Sequence, residues 1–224
     1  MIKIHDRVYM VGGYGFSRPE DCLVYLVKGD GAMALIDCGA GKSVNAILRN
    51  INALGMDENQ VKYVIATHGH IDHIGGLAQL KQKGIKVVAH QKDEEAIAQN
   101  NPKLNAADMY GTRYQPVEID QVVDGETGEL DLGGVTVQML HTPGHTPGSM
   151  VAYLDLDGQR ILFGQDIHGP FSSSWRSNIK QWRDSMQKVI GLQADILCEG
   201  HFGVIEGKKK VEDFIKSHLR ANPG

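Results

Sequence analysis

At 224 residues, 42% hydrophobic and with a formal net charge of -4, the chain is long enough for one layered domain with a sizeable core, and it presents no basic footprint for nucleic acid. No apolar stretch approaches the roughly 20 residues that a membrane span needs. The N-terminal Met1-Ile2-Lys3-Ile4-His5-Asp6-Arg7 lacks the apolar core and cleavage site of a secretory leader, so a cytoplasmic protein without a membrane or nucleic-acid partner is expected. Cys22, Cys38 and Cys198 are odd in number, widely spaced and set in apolar runs with no C-x-x-C pair, which predicts buried reduced thiols.

In chain order, residues 2–11 and 22–28 read as strands, with a glycine-rich loop between them that has neither the spacing nor the Lys-Ser/Thr of a phosphate loop. Residues 32–37 form a further strand. From Ser43 the period changes: Val44, Ile47, Leu48, Ile51 and Leu54 share one helical face, with Ser43 as N-cap and Gly55 as the stop. A strand at 63–66 precedes a helix over 74–83, a strand at 86–89, and helical segments at 92–99 and 104–112. The turn pairs Asp124-Gly125 and Gly133-Gly134 make 116–140 read as antiparallel hairpins, and Asp157-Gly158 joins strands 150–156 and 160–163. A helix over 178–190, a strand at 194–198 and a helix over 208–220 complete the chain. Strands lead each half and helices close it. This predicts one α/β domain, residues 1–224, with two facing sheets and helices outside: a four-layer αββα sandwich.

The densest chemistry lies in Tyr63-Val-Ile-Ala-Thr-His-Gly-His-Ile-Asp-His-Ile-Gly-Gly76. His68 and His70 are two apart, so an extended backbone projects both imidazoles to one side, and Gly69 allows close approach to an ion. Asp72 and His73 follow where the chain turns toward a helix. Four ligand-type side chains at one strand end are hard to explain by packing, because His and Asp are costly to desolvate without partners. Three more strand ends carry such residues: His141-Thr-Pro-Gly-His145-Thr-Pro-Gly148, Gly164-Gln165-Asp166 and Glu199-Gly200-His201.

These residues resemble the metallo-β-lactamase-fold hydrolases. The pattern His68-x-His70-x-Asp72-His73 is similar to the H-x-H-x-D-H signature of that family, and the three later motifs follow in its order. The resemblance implies an αββα fold with a metal centre at its edge. Position by position, it implies that His68, His70 and His145 bind one ion, that Asp72, His73 and His201 bind a second, and that Asp166 bridges them. It also gives Asp72 and Asp166 catalytic roles. Gln165 stands where the pattern usually has glycine. A carboxylate at position 166 looks like the glyoxalase II and lactonase branches.

Imidazole and carboxylate without thiolate suits zinc, two ions per chain, with iron or manganese as alternatives. The function expected is metal-dependent hydrolysis of an ester, thioester or lactone of a small molecule by a metal-bridging hydroxide. A mononuclear iron persulfide dioxygenase using His68, His145 and Asp166 is the alternative, and a non-catalytic metal-binding sensor the third reading. Asp37 is expected to hydrogen-bond the ligand loop, His141 to be structural and His90 to bond locally. Substrate contacts are expected from His168, Tyr14, Phe16, Phe171 and Trp175, in loops near 12–20, 100–116 and 168–177. Tyr110 and Tyr114 are further aromatics of these loops, and Arg18, Arg113 and Arg176 are candidates for an anionic group.

Overall fold

The computed structural model describes residues 1–99 and 101–224. Strands β1 (Ile2–His5), β2 (Val8–Gly12), β3 (Val24–Lys28), β4 (Met33–Ile36), β5 (Val61–Ile65), β6 (Lys86–His90) and β7 (Gln121–Val123) form one sheet in that spatial order. β8 (Thr127–Asp131), β9 (Thr136–His141), β10 (Met150–Leu156), β11 (Gln159–Gln165), β12 (Ile196–Glu199) and β13 (Gly203–Glu206) form the other, in the order β13-β12-β11-β10-β9-β8. The helices are α1 (Val44–Ala53), α2 (Ile71–Ile74), α3 (Leu77–Gln82), α4 (Glu94–Ile97), α5 (Ile179–Gly191) and α6 (Lys208–Ala221).

The period-two alternation of side chains builds the layers. Tyr25 and Val27 of β3 point into the core between the sheets, while Val24 and Leu26 point outward to Val44, Ile47 and Ile51 of α1. In the second sheet Ile161 and Phe163 of β11 face the first, and Leu162 packs outward with Trp182 of α5 and Ile215 of α6. Three stacked apolar clusters separate four layers, which is the αββα sandwich expected from the sequence.

Several local expectations need correction. Residues 2–11 are two strands, β1 and β2, paired antiparallel. The helix expected over 74–83 is two short pieces separated by Gly75-Gly76, because the chain passes so close to residue 40 that a Cβ on Gly75 would collide with the Ala40 carbonyl. Residues 104–112 are a run of turns, and Ala106 takes φ 57, which no right-handed helix admits. Ser43 holds the N-cap position of α1 but makes no capping bond; its hydroxyl donates to Asp21 Oδ1 at 2.7 Å. β7 does not form a hairpin with β8. It pairs in parallel with β6 in the first sheet.

The direction of the strands matters most for function. β4, β5, β6, β11 and β12 run into parallel pairs, and β9 aligns with them through antiparallel β10. Their C-terminal ends therefore release the loops of Asp37, His68, His90, Asp166, His201 and His145 at one rim of the sandwich.

Candidate metal centre

β5 ends at Ile65, and three residues later His68 enters an extended stretch that stops at His70, the N-cap position of α2. The single turn of α2 then carries Asp72 and His73. Ligand atoms of His68, His70, His145 and Asp166 lie within 4.8 Å of one another, as do those of Asp72, His73 and His201. His70 Nδ1 is 3.1 Å from His68 Nε2 and 3.0 Å from His145 Nε2, while Asp166 Oδ2 is 3.4 Å from His145 Nε2 and 3.8 Å from His68 Nε2. The other oxygen of the same carboxylate faces the second group: Asp166 Oδ1 is 3.1 Å from His73 Nε2 and 3.2 Å from His201 Nε2. Asp72 Oδ2 completes that group at 3.5 Å from His73 Nε2 and 3.3 Å from His201 Nε2. One carboxylate thus faces two clusters, one oxygen to each.

The outer nitrogens of the rings explain why the inner ones are available. His73 Nδ1–H donates to Asp37 Oδ2 at 2.7 Å, and His145 Nδ1–H to the Pro170 carbonyl at 2.8 Å. Thr67 Oγ1 donates to Asp37 Oδ2 at 2.8 Å, so its lone pair accepts from His68 Nδ1–H at 3.2 Å. For His68 and His145 the inward Nε2 is left as a lone pair. Burial opposes a charge on His73, but Cys22, Asp166, Asp72 and Asp37 outweigh it and hold that imidazole well above its usual range. Its Nε2 therefore offers a lone pair only when a cation displaces the proton. His73 Nε2 and Asp166 Oδ1 are both buried and only 3.1 Å apart, and neither has a well-formed hydrogen-bond partner. That arrangement fits a cation, whose place in its absence is taken by the protons of His73 and His201 facing the carboxylate.

Electrostatics agree. Burial holds the His68, His70 and His145 imidazoles below their usual range, so they are neutral donors. Burial opposes the charge on Asp166, but His73, His201 and His68 outweigh it and keep the carboxyl well below its usual range. Burial also pulls His201 down, but hydrogen bonds to Asp166 and Asp72 raise it to about 10, so without a cation this side chain carries the positive charge itself. Cys22 lies beyond His73, grouped with Asp37, but burial pushes its thiol up to about 12 and leaves it a neutral neighbour rather than a thiolate ligand.

Supporting residues fix the loops. A Cβ on Gly144, at φ 139, would collide with the Trp182 backbone nitrogen, so the His141–Gly148 loop can press against α5 only with glycine there. Gln165 takes φ 46, in the left-handed region, which is the physical reason that glycine suits this position; its side-chain amide is buried without a partner. Asp93, after β6, was not singled out in the sequence. Its buried carboxylate accepts from Gly69 N at 2.8 Å, Thr146 Oγ1 at 2.7 Å and Gly148 N at 2.7 Å, tying the two histidine loops together.

Of the aromatic and basic side chains expected in the pocket, His168 and Trp175 line it, and Tyr110 joins them. Tyr14 is exposed, Phe16 packs against the core between the sheets and Phe171 meets Trp182 edge to face with centroids 5.0 Å apart, so none of these three lines it. Tyr114 is buried in the outer core of the first sheet, where residues 104–114 fold down onto it. Arg176 forks onto Glu95 at 2.7 and 3.1 Å, Arg18 pairs with Glu20 at 3.6 Å, and Arg113 is absent from the lining; of the loop near 100–116, residue 100 lies outside the described residues. His168 Nδ1–H donates to the buried Glu199 at 3.0 Å. Glu199 also accepts from the backbone N–H of His201 at 2.6 Å and of Phe202 at 2.9 Å.

His141 sits outside both groups. It stacks on His90 with centroids 3.8 Å apart, and its Nε2 bonds the Pro147 carbonyl at 2.9 Å. Burial, then the neighbouring His141, lowers His90 to about 4. The folded state therefore binds fewer protons than the unfolded one between about pH 6.5 and 4, so stability is full above this window and falls as pH drops through it. His90→Gln is expected to shrink the loss in urea midpoint between pH 7 and pH 4.5 relative to the parent chain. An unchanged pH dependence would remove His90 from the account.

Asp37 grips His73 and Thr67 together, and Asp37→Ala is expected to weaken affinity for a divalent ion in the second group by about 10–100-fold. Competition with a chromogenic chelator measures this; unaltered affinity would show that Asp37 does not orient His73.

An αββα sandwich with a carboxylate shared between two histidine-rich clusters at its rim defines a class of metal-centred proteins. The family model of the metallo-beta-lactamase superfamily matches residues 17–201, and the chain belongs to that superfamily. It is 28% identical over 188 residues to the probable metallo-hydrolase YybB of Bacillus subtilis, covering 79% of each chain. It is 25% identical over 221 residues to the metallo-beta-lactamase fold-containing protein ST1585 of Sulfurisphaera tokodaii, covering 90% of this chain and 80% of that one. An atrochrysone carboxyl ACP thioesterase of Passalora fulva is 28% identical over 175 residues, covering 77% of this chain and 45% of that protein. The fold is similar to a metallo-beta-lactamase HARLDQ-motif mutant from Cronobacter sakazakii, with TM-score 0.83, 24% identity and coverage of 98% and 94%. It is also similar to the subclass B3 metallo-beta-lactamase BJP-1 of Bradyrhizobium japonicum, with TM-score 0.77, 21% identity and coverage of 99% and 90%. Among the described residues no helix is long and apolar enough to cross a membrane.

Proposed function

We propose that the protein is a dinuclear metal-dependent hydrolase of small-molecule esters, thioesters or lactones, with zinc as the resident ion. The observation that carries this reading is the placement of Asp166, one oxygen toward His68, His70 and His145 and the other toward Asp72, His73 and His201. The first four residues would hold one ion, and Asp72, His73, His201 and Asp166 the other. Such a pair supplies a water acidified toward neutrality and Lewis acidity for a carbonyl oxygen. The donor set of imidazole and carboxylate suits zinc, with iron or manganese next.

The residues around the centre do the rest. Asp166 and Asp72 would offset part of the charge of two divalent ions in a buried rim, and Asp166 would keep the two halves in register. Asp37, Thr67 and Pro170 fix the rings by accepting their outer protons. His168, held by Glu199, presents its other edge to the pocket, where it can hydrogen-bond a substrate. The names of the relatives, metallo-hydrolases and an ACP thioesterase, support acyl-transfer chemistry to water. A cytoplasmic setting is part of the same reading, since Cys22, Cys38 and Cys198 are all free and buried.

A panel of chromogenic esters, thioesters and lactones tests the proposal. Turnover should disappear on chelation and return with zinc, and His68→Ala should be inactive. Full activity in the chelated protein would contradict it. One iron per chain with oxygen consumption on a persulfide would replace it by the dioxygenase alternative.

A further inference from the structure

The pocket above the centre encloses about 200 Å³, below the roughly 300–1,000 Å³ of a site for a drug-sized ligand, so it holds a small group beside the bond that breaks. Its floor is His70, Asp72, Asp166 and His201. The remaining wall is mostly apolar, Ala106, Met109 and Tyr110 from one loop and Pro170 and Trp175 from another, with the ring of His168 as its one further polar member among the described residues. No lysine or arginine is among the described residues that line it. Arg176 and Arg18 are already paired with Glu95 and Glu20, and Lys42 reaches only the adjoining cleft on the other side of Tyr110, where Glu20 also stands. The charges facing the pocket from the protein are the carboxylates of Asp72 and Asp166 and the ring edges of the histidines.

The bound ions would attract an anion at the floor, but an anionic group at the far end of a substrate would lose its hydration against Ala106, Met109, Pro170 and Trp175 with no lysine or arginine on that wall to replace it. An apolar chain would gain. Met109 is 71% exposed and Tyr110 44% exposed, large side chains at the mouth with surface left to cover. Trp175 is 6% exposed and forms a rigid side of the same wall, its ring 4.6 Å from that of His70. Ala106 is held at φ 57, which turns the loop so that Met109 and Tyr110 overhang the centre instead of continuing a helix along the surface.

We propose that the site selects a neutral acyl group whose apolar chain packs on Met109, Tyr110 and Trp175, and that it discriminates against acyl groups ending in a carboxylate or phosphate. The inference rests on the hydrolase reading above and names its substrate class.

The test uses the zinc-loaded protein and 4-nitrophenyl esters in matched pairs. Across acetate, butyrate and hexanoate, kcat/KM should rise by up to about fourfold per added methylene. Hexanoate should exceed the mono-adipate ester, equal in chain length but ending in a carboxylate, by at least about tenfold. Met109→Lys should narrow that gap by raising the adipate rate, a change that simple damage to the site would not produce. Equal or better turnover of the adipate by the parent protein overturns the proposal and leaves the hydrolase reading standing. Should no ester, thioester or lactone be cleaved, the hydrolase reading fails instead, and Trp175 fluorescence then decides the pocket. Quenching by hexanamide but not by adipic monoamide, lost in Trp175→Phe, upholds the apolar acyl site; equal binding of the two amides refutes it.

Discussion

Asp166→Ala is expected to lower kcat/KM for the best chromogenic ester by at least about 10³-fold, while the protein stays folded. The lower bound follows from the cost of removing a single preorganised electrostatic group at a reacting centre, about 10²–10³-fold. Asp166 does more than one such group, because its two oxygens stand 3.1 Å from His73 Nε2 and 3.4 Å from His145 Nε2. Its loss breaks both clusters at once. In the metal-free chain the same substitution also leaves His73 and His201 facing one another without that carboxylate, so metal-free Asp166→Ala should be more easily unfolded below neutral pH than the metal-free parent. Steady-state kinetics after zinc loading, with circular dichroism as a check on folding, measures the effect. Loss of less than tenfold would show that Asp166 is not shared between the two groups.

The second large effect is expected at Asp93, which touches neither group. Asp93→Ala should cost about 2–5 kcal/mol, because it strands two buried backbone N–H groups at roughly 1–3 kcal/mol each, while the Thr146 hydroxyl keeps the Ser149 hydroxyl as a partner at 2.8 Å. It should also lower activity by about 10–100-fold, as substitutions behind metal ligands do. Gly69 N and Gly148 N both donate to it, so the loop of His68 and His70 and the loop of His145 drift independently once it is gone. Asp93→Asn keeps the volume and one acceptor oxygen and should lose less of both. Urea unfolding together with kinetics separates the two losses; a stable Asp93→Ala protein would mean that the loops hold their shape without it.

What the sequence could reveal followed from how local each signal is. His68, His70, Asp72 and His73 are legible because one strand end and one helical turn carry all four, and the coincidence needs no knowledge of distant contacts. The sandwich is legible because strands such as β3 alternate strictly between two apolar cores. Asp93 was invisible for the opposite reason: its partners lie 24, 53 and 55 residues away, and nothing near position 93 marks it. The segment 104–112 looks helical in composition, but its backbone serves the ligand turn: Ile71 N–H donates to the Asn105 carbonyl at 2.8 Å, and Ala106 leaves the helical region to allow it. β13 was missed because it is a half-exposed edge strand whose residues show no apolar alternation. Tyr14, Phe16 and Phe171 sit in the expected loops or beside them, yet only the fold decides which aromatic faces the pocket and which fills a core.

Anomalous diffraction from crystals of the protein soaked in zinc tests the central claim most directly. The account predicts two peaks about 3.5–4 Å apart, one enclosed by His68, His70, His145 and Asp166 and the other by Asp72, His73, His201 and Asp166. Peaks elsewhere on the surface, or an occupied rim in which Asp166 contacts neither ion, would contradict it.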